Sequence, residues 1–218
     1  MTSRPHHMTS PIHKIFLLIL VLLGISLASK AQVRLSAEVS PSLIANRLET
    51  ASDTISLDSN GSGVRFRAGL MVDIPLTEYY FVQTGLAFNP IRLGMTLREQ
   101  GISEVYNLQY VEAPLMLRLL TSELSIDTRL YFAVGGIARV LVSDRTNAES
   151  PVVTKFRPYD AAIHIGAGID RKLGYQTTIY AGISYNRGLI NALSETIATD
   201  EPLIVKSDIL RLDVGLRF

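Results

Sequence analysis

Ionisable side chains recur at every second position of several long segments, and their types allow two kinds of chemistry. Carboxylates and guanidiniums on one face of a strand can form a network of ion pairs, and a histidine among them could act as a general base. The candidate residues for an interior charge network are Arg65, Arg67, Asp73, Glu112, Arg118, Asp127, Arg129, Arg139, Asp160, His164, Arg211 and Asp213.

His164 is the candidate for catalysis, because it is the only histidine after residue 13. A Ser-His-Glu arrangement around it would resemble the barrel enzymes that deacylate lipid A. However, no serine lies at a sequence spacing that would place it beside His164. Asp160 and Gly168 lie on the same face of the predicted strand as His164. We therefore expect no catalytic residue and interpret His164 as a member of the charged interior.

Metal, cofactor and nucleic-acid binding are not expected from the composition. The sequence has no cysteine, which excludes disulfides, a thiol nucleophile, thiolate metal sites and a lipoprotein anchor. The acidic pairs Asp53 with Asp58 and Asp200 with Glu201 lack the spacing of a calcium-binding loop. A formal net charge of +1 does not indicate a nucleic-acid-binding protein.

The strands that must position these side chains are predicted by alternation of apolar and polar residues. In the segment 124–141, Phe132, Val134 and Val140 share one parity, and Arg139 lies on the other. Successive strand side chains point to opposite faces, so the segment has one apolar and one mostly polar face. Only residues 121–123 separate it from the similar segment 105–120, which predicts an antiparallel hairpin.

Eight such strands are predicted, and long polar connections alternate with short turns between them. An even-stranded barrel with both termini in the periplasm has this order of connections. A soluble lipocalin-like barrel would place the apolar faces inside, but the polar faces hold too many charges for a dry core. We predict an all-β, eight-stranded antiparallel up-and-down transmembrane β-barrel. Its strands are 33–45, 63–76, 79–91, 105–120, 124–141, 158–172, 175–188 and 206–218, with long loops at 46–62, 92–104, 143–157 and 189–205.

An export signal is predicted at the N-terminus. Lys14 precedes an apolar run at residues 15–28, and Ala31 then offers a cleavage site before Gln32. We predict a signal peptide over residues 1–31 and a barrel domain over residues 32–218. A transmembrane anchor is less favoured because the run is short. The start could be Met1 or Met8.

The predicted interior is filled. An eight-stranded tube is only wide enough for its own side chains, and glycines such as Gly168, Gly182 and Gly215 share the polar parity. Small residues on this face make room for long ones. We expect a network of ion pairs and water inside the tube, and no freely conducting pore.

Two segments carry a resemblance to a known family. Residues 110–118, Tyr-Val-Glu-Ala-Pro-Leu-Met-Leu-Arg, resemble the Tyr-x-Glu-(aliphatic)-Pro-Leu-x-x-(Lys/Arg) run of Bacteroidetes outer-membrane barrel proteins described as PorT-like or porin family. Residues 180–191 resemble their penultimate strand. The resemblance implies an outer-membrane barrel inserted by the barrel assembly machinery, with the terminal Phe218 as the assembly signal. The name PorT points to type IX secretion.

The resulting hypothesis is a non-enzymatic barrel of the cell outer membrane that acts as a structural or interaction protein, as an accessory of secretion. Its expected partners are outer-membrane lipid, the barrel assembly machinery during insertion, and proteins that contact the long loops or the periplasmic rim. The alternatives are a narrow porin-like channel and, less favoured, a lipid-modifying enzyme.

Overall fold

The computed structural model describes residues 33–50, 57–59, 63–97, 102–146, 153–196 and 203–218. In these ranges all the regular elements are strands. In chain order they are β1 (Arg34–Thr50), β2 (Leu57–Ser59), β3 (Gly63–Pro75), β4 (Tyr80–Leu97), β5 (Ile102–Leu120), β6 (Thr128–Thr146), β7 (Val153–Phe156), β8 (Tyr159–Lys172), β9 (Thr178–Gly188), β10 (Leu193–Thr196) and β11 (Leu203–Arg217). This part of the chain contains no helix long and apolar enough to cross a membrane. The predicted signal peptide lies outside the described residues.

Eight long strands close into a ring. The strands β1, β3, β4, β5, β6, β8, β9 and β11 each pair antiparallel with the next, and β11 pairs with β1. The closing pair runs from Ser36 opposite Arg217 to Thr50 opposite Leu203. The predicted eight-stranded antiparallel up-and-down barrel is confirmed. Because a closed ring has no free sheet edge, its backbone can be satisfied inside lipid.

The two faces of the strands differ sharply in burial. Outward Leu70 and Leu86 are 69% and 62% exposed, whereas inward Glu112 and Arg139 are 0% and 1% exposed. A water-soluble barrel would have the opposite arrangement, with apolar side chains inside. The apolar parity of the sequence therefore forms the outer surface of the barrel, and the ionic parity lines its interior.

The two ends of the barrel are also distinct. Both ends of the described chain lie at the end where the connections are short, since Arg34 pairs with Asp73 and Ser36 with Arg217. The turn before β6 contains Asp127, whose φ of 58° is the left-handed conformation that Asp tolerates better than most residues. In an outer-membrane barrel the short turns face the periplasm.

The prediction of a long loop at 92–104 is wrong. Strand β4 continues to Leu97 and β5 begins at Ile102, and the two pair through Leu93 opposite Tyr106. Arg92 alternates with inward Leu93, whereas Glu104 itself points inward beside Tyr106. Leu93, Glu104 and Tyr106 are 0%, 5% and 1% exposed, so the segment remains a two-faced hairpin.

Three short strands occur in the segments predicted as irregular loops. Strand β2 pairs with β4, and β10 pairs with β7 in a separate two-stranded sheet. The predicted end of the first strand at residue 45 is also too early, because β1 continues to Thr50 alongside β11. The end of the barrel opposite the termini is therefore more regular than the sequence indicates.

Candidate functional site

The centre of the barrel interior is organised around Glu112 on β5, which is wholly buried. Its Oε1 accepts hydrogen bonds from Arg139 Nε at 2.8 Å, Asn89 Nδ2 at 2.7 Å and Arg211 Nη2 at 2.9 Å. Its Oε2 accepts a hydrogen bond from Arg67 Nε at 2.8 Å. One carboxylate thus joins guanidiniums from three other strands, which ties opposite walls of the barrel together.

Further acidic side chains balance these guanidiniums. Arg67 Nη1 also bonds Glu38 on β1, and Arg139 Nη1 donates to Asp160 Oδ2 on β8 at 2.9 Å. Tyr180 Oη donates to the other oxygen of Glu38 at 2.9 Å. Buried charges are tolerated only when they are paired and hydrogen-bonded. The central ionic cluster, made of Glu112, Arg67, Arg139, Arg211, Glu38 and Asp160, meets this condition.

A second cluster lies nearer the periplasmic end. Asp170 on β8 is bonded by Arg118 and by Arg217, whose Nη1 lies 2.6 Å from Asp170 Oδ2. Arg217 Nε is 2.6 Å from Asp73 Oδ2 on β3. This lower ionic cluster, Arg118, Asp170, Arg217 and Asp73, contains two arginines and two aspartates. It forms a second charged layer across the tube.

Aromatic rings separate and support the two ionic clusters. The Arg118 guanidinium lies 3.7 Å from the centre of the Tyr131 ring and 4.8 Å from that of Tyr180. A Cβ on Gly168 would stand 2.5 Å from Tyr131 Cε1, and one on Gly182 would stand 2.8 Å from Tyr131 Cζ. The two inward glycines therefore provide the space in which this ring lies, as expected from their parity.

The interior leaves little space between these layers. A cavity of about 20 Å³ lies between the two clusters, which is room for about one water molecule. His164 and Asp213 are among its lining residues. Asp213 Oδ1 accepts a hydrogen bond from Ser40 Oγ at 2.7 Å. Side chains, rather than solvent, fill the middle of the tube.

His164 is bonded to an amide rather than to a hydroxyl. Its Nδ1 lies 2.7 Å from Asn186 Oδ1 on the neighbouring strand β9. A nucleophilic mechanism needs a serine within hydrogen-bond reach of the base. No hydrogen bond joins His164 to a serine among the residues that the structure places, so the geometry provides no Ser-His pair.

Three residues predicted for the network lie away from the two clusters. Arg65 is half-buried towards the far end of β3 and donates to Asn107 Oδ1 at 3.1 Å. Arg129 lies at the periplasmic start of β6, 3.5 Å from Glu123. Asp127 is exposed in the turn. Its placement in the interior is wrong, because β6 begins only at Thr128 and the strand parity does not extend to residue 127.

Phe218, the predicted assembly signal, lies at the barrel's edge. Its ring is 60% exposed, and its backbone nitrogen donates to Leu35 O at 2.7 Å, which continues the closing pair of strands. Asn89 was not predicted as a site residue, although it bonds Glu112. The available signal was its parity, since it directly follows the outward Phe88 in β4 and therefore points inward.

The interior becomes apolar at the end away from the periplasm. Tyr106 packs edge-on against Phe156, with ring centres 5.1 Å apart. The Tyr106 hydroxyl bonds Glu104 and accepts a hydrogen bond from Val153 N at 3.1 Å. Leu193 of β10 is buried in the same cluster. The expected polar network therefore does not fill the whole tube; the β7–β10 sheet adds an apolar layer above the charges.

The periplasmic mouth holds a larger cavity of about 840 Å³. Arg34, whose guanidinium lies 5.4 Å from the centre of the Phe81 ring, lines it together with Arg129 and Lys172. Glu78 and Asp127 supply negative charge to the same surface. The cavity ends at the lower ionic cluster, because Asp170 and Arg217 form part of its lining. This mixed-charge surface opens to the periplasmic side.

A family model gives the chain its place among known proteins. Residues 17–194 match the model of the outer membrane protein beta-barrel domain. The chain belongs to this family. The closed ring and the apolar outer wall agree with that assignment and place the chain in the outer membrane. In sequence, no curated protein matches the chain.

Among similar solved structures, one with a TM-score above 0.5 supports the same fold. The outer membrane protein OprG from Pseudomonas aeruginosa is 9% identical, with 85% of this chain and 95% of OprG covered at a TM-score of 0.56. Neisserial surface protein A is 12% identical, with 85% and 95% covered at 0.48. The outer membrane protease OmpT from Escherichia coli is 10% identical, with 86% and 95% covered at 0.39. The likeness to OprG shows the fold alone, and the two weaker likenesses indicate nothing about activity.

Proposed function

We propose that this protein is a non-enzymatic interaction barrel of the outer membrane that conducts no solute. The observation that supports the proposal is the filled interior. Glu112 binds three arginines at the centre, and Arg217 joins Asp73 and Asp170 below it. Opening a passage through these layers would break buried ion pairs, and each uncompensated charge would cost several kcal/mol.

The proposed mechanism is positioning of a binding surface. A barrel held rigid by ion pairs between opposite walls gives its rims a fixed geometry. The mixed-charge periplasmic mouth, with Arg34, Arg129 and Glu78 on its lining, is the surface we assign to a protein partner. Polar and charged rims are typical of transient protein interfaces. The resemblance of residues 110–118 to PorT-like proteins of Bacteroidetes supports a secretion accessory as the specific role.

The partner is tested by cross-linking at the periplasmic mouth. A photo-reactive residue in place of Glu78 should capture one protein in intact cells, and the same residue in place of outward Leu86 should not capture it. Charge reversal at both Arg34 and Arg129 should abolish the cross-link and impair secretion. Normal secretion with the reversed charges would contradict the secretion role, and no specific capture would contradict the interaction role.

The sealed interior is tested by planar-bilayer recording. The purified barrel should give no stable single-channel steps. A Glu112→Ala variant that still folds should give rare openings, because it leaves three guanidiniums without their shared carboxylate. Steady steps from the wild-type barrel would favour the alternative of a narrow channel.

Export and insertion follow the same proposal. We infer that residues 1–31 are removed after export and that the barrel assembly machinery recognises the last strand through Phe218. Mass spectrometry of the outer-membrane form should show Gln32 as the first residue. Phe218→Ala should leave more unfolded chain in the periplasm, measured by a heat-modifiability shift on gels. An unchanged folded fraction would contradict the role of Phe218.

A further inference from the structure

The outer wall formed by β4, β5 and β6 carries arginines towards the end opposite the short turns. Asn107 on β5 lies directly opposite Arg92 on β4 and Arg145 on β6. Leu93 and Tyr106, the chain neighbours of Arg92 and Asn107, are buried, so Arg92 and Asn107 point outward, and Arg145 is exposed. Paired strands lie about 4.8 Å apart, so the Cα atoms of the two arginines are about 10 Å apart across β5.

Arg65 on β3 reaches the same place from the other side of β4. Its Nη2 donates to Asn107 Oδ1 at 3.1 Å, and its Nη1 donates to Val64 O at 3.3 Å. The pairing of β3 with β4 ends at Ala68 opposite Phe88, below this level. The side chain therefore has space to pass between β3 and β4 to an outward residue of β5. We call Arg65, Arg92 and Arg145 the basic row.

The three guanidiniums of the basic row form no ion pair with any residue that the structure places. Both hydrogen bonds of Arg65 are to neutral oxygens, and Arg92 Nε is buried without a hydrogen-bond partner. Like charges close together on one face of a sheet repel each other. An anion bound at Asn107 would remove this repulsion.

The acidic residues on β5 and β6 near the basic row belong to the other face of the sheet. Asp144 lies opposite buried Leu108 and therefore has the inward parity. Glu104 is buried and accepts the hydrogen bond of the Tyr106 hydroxyl. Neither carboxylate lies on the outward face with Arg92 and Arg145.

The acidic residues on β1 and β2 are too distant along their strands. Asp58 on β2 lies opposite Thr96, which is four residues or about 13 Å beyond the basic row on β4. Glu49 on β1 is seven residues or about 23 Å beyond Ser42, the residue opposite Arg65. The described part of this wall therefore has three positive charges that no carboxylate balances.

The basic row lies at the level of the outer-leaflet headgroups. From outward Val82, near the periplasmic start of β4, to Arg92 the strand advances about 33 Å, which is a height of about 25 Å at a tilt of about 40°. The apolar band of an outer-membrane barrel is also about 25 Å tall. Below the row, outward Phe66 and Phe88 are exposed. A ligand with acyl chains and a phosphate fits both parts, because guanidiniums bind phosphate strongly.

We propose that the basic row binds a phosphate of lipid A, the phosphorylated glycolipid of the outer leaflet. The phosphate lies over Asn107, between Arg92 and Arg145, and the acyl chains lie along Phe66 and Phe88. The bound lipid neutralises the row and holds this wall in a defined orientation relative to the outer leaflet. The site is separate from the sealed interior and from the periplasmic mouth, so it does not depend on a protein partner.

Native mass spectrometry of the detergent-solubilised full barrel tests the proposal. Bis-phosphorylated lipid A should bind at least 10-fold more tightly than its dephosphorylated form and than phosphatidylglycerol. The double variant Arg92→Gln with Arg145→Gln should lose at least 10-fold in affinity for it. The matched control, Arg187→Gln with Lys206→Gln, removes the same charge near the same end of the barrel, on β9 and β11, and should bind like the wild type.

A change of amide to carboxylate tests the site without removing an arginine. Asn107→Asp puts a negative charge between the arginines with little change in size, so the barrel should still fold, as checked by its heat-modifiability shift. It should lower the affinity for bis-phosphorylated lipid A at least 10-fold, because the carboxylate replaces the phosphate. Gln176→Glu makes the same charge change in an exposed periplasmic turn and should bind like the wild type.

Three results would overturn the proposal. Equal binding of the dephosphorylated lipid, or undiminished binding by folded Asn107→Asp, would show that the basic row holds no phosphate. An equal loss in Arg187→Gln with Lys206→Gln would show that binding follows net charge rather than this site. Equal binding of phosphatidylglycerol would overturn the choice of lipid A.

Discussion

Glu112 is the residue on which most of the interior ion pairs converge. Three guanidiniums, from Arg67, Arg139 and Arg211, lie within hydrogen-bond distance of its carboxylate. Removing one partner of a buried charged group costs more than the pair contributes, because the remaining charges stay buried. The arrangement makes Glu112 more sensitive to substitution than any single arginine that shares it.

We expect Glu112→Gln to lower the free energy of unfolding by about 3–5 kcal/mol, since an amide cannot balance the arginines. Urea unfolding of the refolded barrel in detergent measures the change. The control Glu78→Gln replaces an exposed turn residue and should stay within about 0.5 kcal/mol of the wild type. Equal stability of both variants would mean that the central ionic cluster does not stabilise the folded barrel.

The sequence identifies which charged side chains point into the barrel better than it identifies which of them form ion pairs with each other. Parity alone places Arg67, Glu112 and Arg139 on one face. Glu112 lies directly opposite Arg139 on the adjacent strand, so a correct register would predict that pair. The bond between Glu112 and Arg211 joins residues 99 positions apart across the tube. Such a contact depends on barrel diameter and side-chain reach, which alternation does not encode.

At the level of the strands, β8 and β9 are specialised by their inward glycines. Gly168 and Gly182 face each other in the register and together make room for the Tyr131 ring. The ring in turn supports the Arg118 guanidinium that binds Asp170. The inward glycines of two neighbouring strands therefore help to determine where the lower ionic cluster forms.

We expect Gly182→Val to reduce the folded fraction, because its Cβ would overlap the Tyr131 ring and push Arg118 from Asp170. The heat-modifiability shift on gels and refolding yield measure the effect. Gly174→Val is the control, since a Cβ at that turn position would have no atom within 4 Å. Equal folding of the two variants would show that the Tyr131 ring does not depend on the space left by Gly182.

The strand boundaries show where sequence reasoning succeeds and fails. The short turns are predicted in the right places, because apolar alternation stops there, but β6 and β9 begin at Thr128 and Thr178 rather than at the predicted residues 124 and 175. The boundary at residue 92 is missed because the segment 92–104 is rich in polar residues and glycine, a composition typical of a loop. Inward Leu93, Tyr106 and Leu108 are buried by Phe156 and Leu193, which come from distant segments. A tertiary contact of this kind leaves no local signal in the hairpin itself.

For the whole molecule, the apolar outer wall is the feature that requires a membrane. Leu70 lies near the middle of the outward row of β3 and is among the most exposed leucines. In water, such a surface would drive aggregation. In a bilayer, lipid chains cover this apolar surface, and the β-sheet separates the ionic interior from the lipid.

We expect Leu70→Arg to destabilise the barrel in lipid vesicles by about 2–4 kcal/mol, the cost of a cation near the bilayer midplane. Reversible unfolding in vesicles measures this change. Leu76→Arg introduces the same charge in the exposed turn after β3 and should have little effect. A similar effect of the two substitutions would show that lipid does not contact residue 70.

The continuation of β4 and β5 has a practical consequence for the cell surface. From outward Phe88 to Leu97 the strand advances about 30 Å, which corresponds to a height of about 23 Å at a tilt of about 40°. This hairpin therefore extends beyond the headgroup layer. A peptide epitope placed between Leu97 and Ile102 should be stained by antibody on living bacteria, so this site can be used to label the protein at the cell surface.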